Sequence, residues 1–178
     1  MIQLFFKMYT FFYISYLKIV YHKQIEIKGK VKAKRFFRIE ISRSSQLKIE
    51  GDIDIKENLL IAVRKNAKLT IGKNCFFNRN CSIIVRKNIS IGSECMFGEN
   101  IKMYDHNHLI SSQGASRKEY DSQSLVIGNN CWIGNDVNIF MGSEIKERSI
   151  IGAMSLVNKK LSETGIYLGV PVRLHKKI

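Results

Sequence analysis

A single proline in 178 residues leaves no room for a polyproline linker or a collagen-like chain. Glycine is equally sparing, at twelve residues, and no serine- and glycine-rich stretch divides the chain, so one domain is expected. The four cysteines form no C-x-x-C pair, which removes the usual structural zinc patterns. Acidic residues are also scarce: 15 against 29 lysines and arginines, for a formal charge of +14. Such an excess implies an anionic partner without identifying it. The cations are densest at Lys28, Lys30, Lys32, Lys34 and Arg35, and again at Arg173, Lys176 and Lys177. No helix-turn-helix, zinc-finger spacing or RNA-recognition signature accompanies them, so nucleic acid is not the expected partner.

What is abundant is aliphatic and aromatic residues, and the first 24 positions form the most apolar segment. Lys7 and Lys18 interrupt it and no small-residue cleavage site follows, which makes a poor signal peptide. A membrane span needs about 20 nearly uncharged apolar residues, so spanning is not expected either. Two readings stand: a helix at a membrane surface, with Lys7, Lys18, His22 and Lys23 near anionic headgroups, or a helix packed on the end of the main domain or in a subunit interface. The main domain is expected to span 25–178.

Most of the chain repeats with a period of six. Large apolar anchors recur at Ile71, Phe77 and Ile83, then after a two-residue slip at Ile91, Phe97 and Met103, and after an interruption at Ile127, Ile133, Ile139, Ile145, Ile151 and Val157. A helix repeats every 3.6 residues and a half-buried strand every two, so this period fits neither alone. It fits a solenoid of short strands in which three hexads complete a triangular coil. Gly or Asn often follows the anchor, types that tolerate unusual backbone angles and close approach. Cys75, Cys81, Cys95 and Cys131 each fall four residues after an anchor, a slot that Val137, Ser143, Ser149 and Ser155 fill elsewhere. They are therefore expected to be small buried residues with reduced thiols, as suits the cytosol. Alternation from Leu47 to Leu69 is expected to continue the solenoid as irregular first coils.

In register, Ile127-Gly128-Asn129-Asn130-Cys131-Trp132-Ile133-Gly134, the hexad Ile151-Gly152-Ala153 and the tail Gly169-Val170-Pro171-Val172-Arg173 resemble the hexapeptide-repeat acyltransferases. The likeness runs from about Leu69 to the C-terminus and is to the branch with galactoside, maltose, and capsule or lipopolysaccharide O-acetyltransferases. It implies an all-β, left-handed parallel β-helix, a homotrimer with active sites between neighbouring prisms, and transfer of acetyl from acetyl-CoA to a sugar hydroxyl without a metal. A cytoplasmic enzyme of surface-polysaccharide synthesis is expected, with peripheral contact at the inner membrane under the first of the two readings of the N-terminal segment.

The polar interruption at 105–126 is the expected active-site loop, and 163–178 the C-terminal tail. The reaction needs a base near neutral pH, which suits histidine. The resemblance places that base at His108, with His106 of the same Asp105-His106-Asn107-His108 run as the competing choice. It further implies Asn78 and Asp105 toward the acceptor, an oxyanion donor at the backbone N–H near Asn135, and coenzyme A along Trp132, Asn135, Ala153, Asn158 and Lys159. Arg173 and Lys176 would meet its phosphates. Trp132 can alternatively be read at the trimer interface. One departure stands out, since residues 1–46 do not align with the helical acceptor-binding region of small-sugar relatives.

Three rivals remain at this level. An N-acyltransferase acting on an amino-sugar nucleotide or an amino acid uses the same scaffold. Zinc-dependent carbonic anhydrases on this scaffold need three histidines from separate coils, whereas this chain has four in all, two of them in one loop. A structural or ice-binding solenoid predicts a flat threonine array, and only Thr10, Thr70 and Thr164 exist.

Overall fold

The computed structural model describes residues 2–178. A helix, α1 (Ile2–Val20), leads into six coils of three short strands each. The first coil is β1 (Ile25–Ile27), β2 (Val31–Ala33) and β3 (Arg38–Ile41); the second is β4 (Gln46–Ile49), β5 (Ile53–Ile55) and β6 (Leu60–Val63). The third holds β7 (Lys68–Ile71), β8 (Cys75–Phe77) and β9 (Ser82–Val85), and the fourth β10 (Asn88–Ile91), β11 (Met96–Phe97) and β12 (Lys102–Tyr104). A hairpin of β13 (His106–Ser111) and β14 (Gly114–Ser122) then leaves the solenoid. The fifth coil is β15 (Leu125–Ile127), β16 (Trp132–Ile133) and β17 (Asn138–Phe140); the sixth is β18 (Glu144–Ile145), β19 (Ile150–Ile151) and β20 (Leu156–Val157). The chain ends in β21 (Gly165–Leu168) and β22 (Arg173–Lys177).

Equivalent strands pair in parallel from coil to coil and form three faces. The first face runs from β1 to β18 and the third from β3 to β20, while the second runs from β2 to β19 and is closed by β21 and the antiparallel β22. This is a triangular parallel β-helix, left-handed as expected. All twelve anchors are buried; Phe77 and Phe97, for example, stack with centroids 4.7 Å apart.

The six-residue period holds only in part. Val126 pairs with Glu144, an 18-residue coil of three hexads, but Leu69 pairs with Ile89 after 20 residues. Ile25 pairs with Leu47 and Leu47 with Leu69, so the first two coils take 22 residues each. The solenoid therefore starts at Ile25, and the extra residues are absorbed in wider corners.

The corners separate two duties that sequence reading gave to one residue. Left-handed backbone lies three residues after an anchor, at Asn74, Asn80, Asn100, Asn130 and Asp136 among others, with φ of 56–60°. Asparagine and aspartate tolerate that conformation because their short side chains bond locally. One corner stacks them into a ladder: Asn58 donates to Asn80 (3.1 Å), Asn80 to Asn100 (3.2 Å) and Asn100 to Asp136 (2.8 Å). The glycine directly after the anchor serves close approach instead. A Cβ on Gly92 would lie 2.6 Å from the Gly128 carbonyl carbon.

The cysteines occupy the buried slot as expected and are free thiols. Each donates to a carbonyl of the next coil: Cys75 to Gly92 and Cys95 to Gly128 at 3.1 Å, Cys131 to Lys146 at 3.2 Å and Cys81 to Gly98 at 3.3 Å. Burial pushes the Cys81 thiol up to about 11, so it stays protonated and unreactive at neutral pH.

Helix α1 packs on the first coil. Phe6 meets Phe36 edge to face at 5.0 Å, Tyr13 meets Phe37 at 5.3 Å, and the Tyr13 hydroxyl accepts from the Ile39 N–H at 3.1 Å. Packing on the domain end, one of the two sequence readings, is thus realised for one face of the helix.

Candidate active site

The two-residue slip between Ile83 and Ile91 turns out to build the site. It widens the corner after β9 at Arg86 and Lys87, whose backbone N–H groups point inward with no strand partner there. The Asp105 carboxylate, fully buried, accepts both: Oδ1 from Arg86 and Oδ2 from Lys87, each at 2.8 Å. Oδ1 also lies 3.1 Å from His106 Nδ1. Asp105 was expected to face the acceptor; in the structure both its oxygens are engaged inside the prism. A buried carboxylate with three partners ties the His106 ring to the widened corner.

His106 starts the hairpin as it leaves the corner between the third and first faces, and its side chain is only 13% exposed. His108 lies two residues further out on the same strand and is exposed, as strand alternation places both rings on one side. Its Nδ1 is 2.6 Å from the Ser116 carbonyl oxygen. A carbonyl can only accept, so Nδ1 is the donor, and in the neutral ring the lone pair is then on Nε2.

Tyr120, opposite His108 in the hairpin register, ties these groups together. Its ring is 4.7 Å from that of His108 and meets the edge of His106 at 5.6 Å. The Arg86 guanidinium covers the ring, 3.3 Å from the centroid. Sequence reading missed Tyr120; the only signal was an aromatic residue in a polar loop, since its pairing depends on the hairpin register.

The other expected residues divide between two edges of the prism. Asn78, Asn135 and Ala153 line the corner between the second and third faces, where the Asn78 N–H donates to Phe97 (3.0 Å) and the Asn135 side-chain oxygen accepts from the Glu99 N–H (2.9 Å). Trp132 stands half exposed on the second face, and Arg173 and Lys176 lie exposed on β22 at the end of that face. Asn158 and Lys159 follow β20 at the far edge of the third face, exposed, on the side from which the hairpin projects. One chain therefore does not bring the histidines together with Asn78, Asn135 and Trp132. An apolar stripe of Phe76, Met96, Trp132, Ile150 and Ile166, paired in register, runs up the outside of the second face. No group of His, Cys, Asp and Glu suited to a metal occurs among the described residues.

No family model matches the chain. Among curated proteins it is 32% identical over 90 residues to the galactoside O-acetyltransferase of Escherichia coli K12, covering 51% of this chain and 44% of that protein. It is 28% identical over 98 residues to the putative lipopolysaccharide biosynthesis O-acetyl transferase WbbJ of the same organism, with 50% of each chain covered. The chain thus spans about half the length of the curated relatives it matches. Among solved structures, a variant of AntD, an N-acyltransferase from Bacillus cereus bound to dTDP-4-amino-4,6-dideoxyglucose and coenzyme A, superimposes with a TM-score of 0.76. That match covers 92% of this chain and 87% of AntD at 20% identity, so it speaks to the fold.

Proposed function

We propose that this chain, which resembles the hexapeptide-repeat acetyltransferases in sequence and fold, transfers acetyl from acetyl-CoA to a saccharide hydroxyl with His108 as general base. The observation that carries this reading is the His108 Nδ1 to Ser116 carbonyl bond of 2.6 Å, which leaves Nε2 as an accessible proton acceptor on the projecting hairpin.

The reaction runs in one ternary complex. His108 Nε2 takes the hydroxyl proton, the sugar oxygen bonds to the thioester carbonyl carbon, and the tetrahedral intermediate collapses as the C–S bond breaks. The imidazolium then protonates the thiolate, so the base is regenerated with no covalent enzyme intermediate. The backbone N–H near Asn135 would stabilise the oxyanion. Asn78 would hold the acceptor, since an amide both donates to and accepts from hydroxyls. Trp132, Ala153, Asn158 and Lys159 would flank coenzyme A, and Arg173 and Lys176 would meet its phosphates. Asp105 and His106 position the hairpin behind His108.

These groups sit on opposite edges of the third face, so the site is completed by a second copy, in a homotrimer closed along the apolar stripe that includes Trp132. Likeness to the galactoside and lipopolysaccharide O-acetyltransferases favours a sugar acceptor in surface-polysaccharide synthesis at the cytoplasmic face of the membrane, with residues 1–22 in peripheral contact. A second reading, N-acylation of an amino-sugar nucleotide, is favoured by the match to AntD along nearly the whole chain.

Free-thiol release from acetyl-CoA, followed against a panel of sugars, oligosaccharides and amino-sugar nucleotides, tests the proposal. Acceptor-dependent release is expected, falling about 100-fold or more in His108→Ala and persisting at a reduced rate in His106→Ala. Loss confined to His106→Ala would move the base, amino-sugar dependence would select the second reading, and no release with any acceptor would reject both.

A further inference from the structure

Residues 2–25 contain no acidic side chain, and the face of α1 turned from the solenoid is almost wholly apolar. Leu4, Phe5, Met8, Phe11, Phe12 and Ile19 are each 53–74% exposed there. Seven such residues with Tyr16, side by side on one helix, exceed the scattered apolar exposure of an ordinary surface. Lys7 and Lys18 both flank this face, because eleven residues bring a helix back to nearly the same side, about 16 Å further along. No helix among the described residues is long and apolar enough to cross a membrane.

Beside the helix lies a groove of roughly 1220 Å³ between α1 and the second face of the first two coils. Its helix wall presents Lys7, Phe11, Ile14 and Lys18, and its floor Val31, Ala33 and Ile55. The opposite wall carries Lys30, Lys32, Lys34 and Arg35, joined by Lys56 from the next coil. Lys32 pairs with Asp52 and Arg35 with Glu57, but Lys7, Lys18, Lys30, Lys34 and Lys56 make no ion pair among the described residues, and Asp54 is the only carboxylate on the lining. Lys34 and Lys56 face each other, and Lys34 holds the Lys56 amine below the usual lysine range. Like charges set together over an apolar floor repel one another, and an anion seated among them would relieve that repulsion.

We propose that this groove seats the phosphate of an anionic membrane lipid, with the exposed face of α1 lying in the bilayer interface beside it. The chemistry favours lipid over a second protein copy: another copy brings the same cations and the same net charge of +14, whereas an anionic bilayer supplies both the acyl surface and the counter-charge. The inference deepens the membrane contact put forward above and is independent of the acyltransferase chemistry. The groove ends at the foot of the second-face stripe, since its residue Phe76 begins the row that rises through Met96 to Trp132.

Vesicle co-sedimentation of the full chain tests it, with phosphatidylglycerol and phosphatidylcholine vesicles compared at fixed ionic strength. The chain is expected to sediment with the anionic vesicles alone, and millimolar inorganic phosphate is expected to leave the bound fraction unchanged. Lys34→Glu with Lys56→Glu is expected to weaken binding about 10-fold or more, and Phe11→Ser with Phe12→Ser, on the exposed face, to weaken it independently. Equal sedimentation with both lipids, abolition by inorganic phosphate, or a Lys34/Lys56 variant that binds like the native chain overturns the proposal. Thiol release with a water-soluble acceptor, read on the same samples, separates the two claims. Lost sedimentation with unchanged turnover counts for the lipid site, and absent turnover with intact sedimentation counts against the acyltransferase reading alone.

Discussion

At the scale of single residues, the packing of two histidines against one tyrosine sets the hairpin apart from the coils. Tyr120 touches both rings and is covered by Arg86, yet its hydroxyl bonds only the Arg117 carbonyl, at 3.3 Å. Its work is packing. Tyr120→Phe is therefore expected to turn over acetyl-CoA like the native chain, and Tyr120→Ala to lose about 10-fold in kcat with little change in KM, as a base held in the wrong place does. A matching loss in Tyr120→Phe would assign the hydroxyl a part in the reaction. Gly92 tests the other kind of residue, the one that is small because a neighbour needs its space. Its missing Cβ would meet the Gly128 backbone at 2.6 Å, and backbone of a stacked coil cannot step aside. Gly92→Ala is expected to cost about 1–3 kcal/mol in urea unfolding, with the fold intact by circular dichroism.

At the scale of elements, corners rather than strands carry the individuality of this chain. The strands repeat one design, buried anchor beside exposed neighbour, while each corner is filled differently: an asparagine ladder, a column of thiols, a buried aspartate. The corner after β3 is held by charge. Glu40 on β3 accepts from Arg38 and, at 2.9 Å, from Arg64 just beyond β6. The Arg38 hydrogen bond, with help from Arg64, holds the Glu40 carboxyl below the usual carboxylate range. A carboxyl lowered in the folded chain binds protons more readily when unfolded, so its contribution is present above the unfolded pKa and is lost as pH falls through the folded value. Glu40→Gln is expected to lower the melting temperature at neutral pH and to flatten its decline below about pH 4.5. Melting curves from pH 3 to 7 that run parallel for both chains would show the pair to be energetically idle.

At the scale of the whole molecule, the candidate site is divided between two edges of the third face, so the proposed chemistry would require a second copy. If the stripe through Met96 and Trp132 closes a trimer, Met96→Glu is expected to yield monomers in sedimentation velocity and to abolish turnover together. A monomeric native chain with full activity would place the entire site on one prism. The apolar face of α1 and the basic groove beside it belong to a different end of the molecule from the hairpin, so the two proposals can be tested separately by mutation.

The amino-acid sequence by itself determined the solenoid, because a period of six admits no other way to bury an anchor in every hexad, and it placed the cysteines in the core by the same register. It marked 105–126 as a departure from the solenoid, since polar residues cannot continue an apolar ladder. Only the tertiary structure decided what Asp105 does: its burial depends on a corner widened some twenty residues earlier, at Arg86 and Lys87, a pairing with no local signature. Tyr120 acquired its place through hairpin register, and the lysines from Lys30 to Lys56 became one surface only when successive coils stacked them and α1 folded back alongside. Local patterns dictate which residues go inside, whereas contacts between residues far apart in the chain exist only once the coils are stacked.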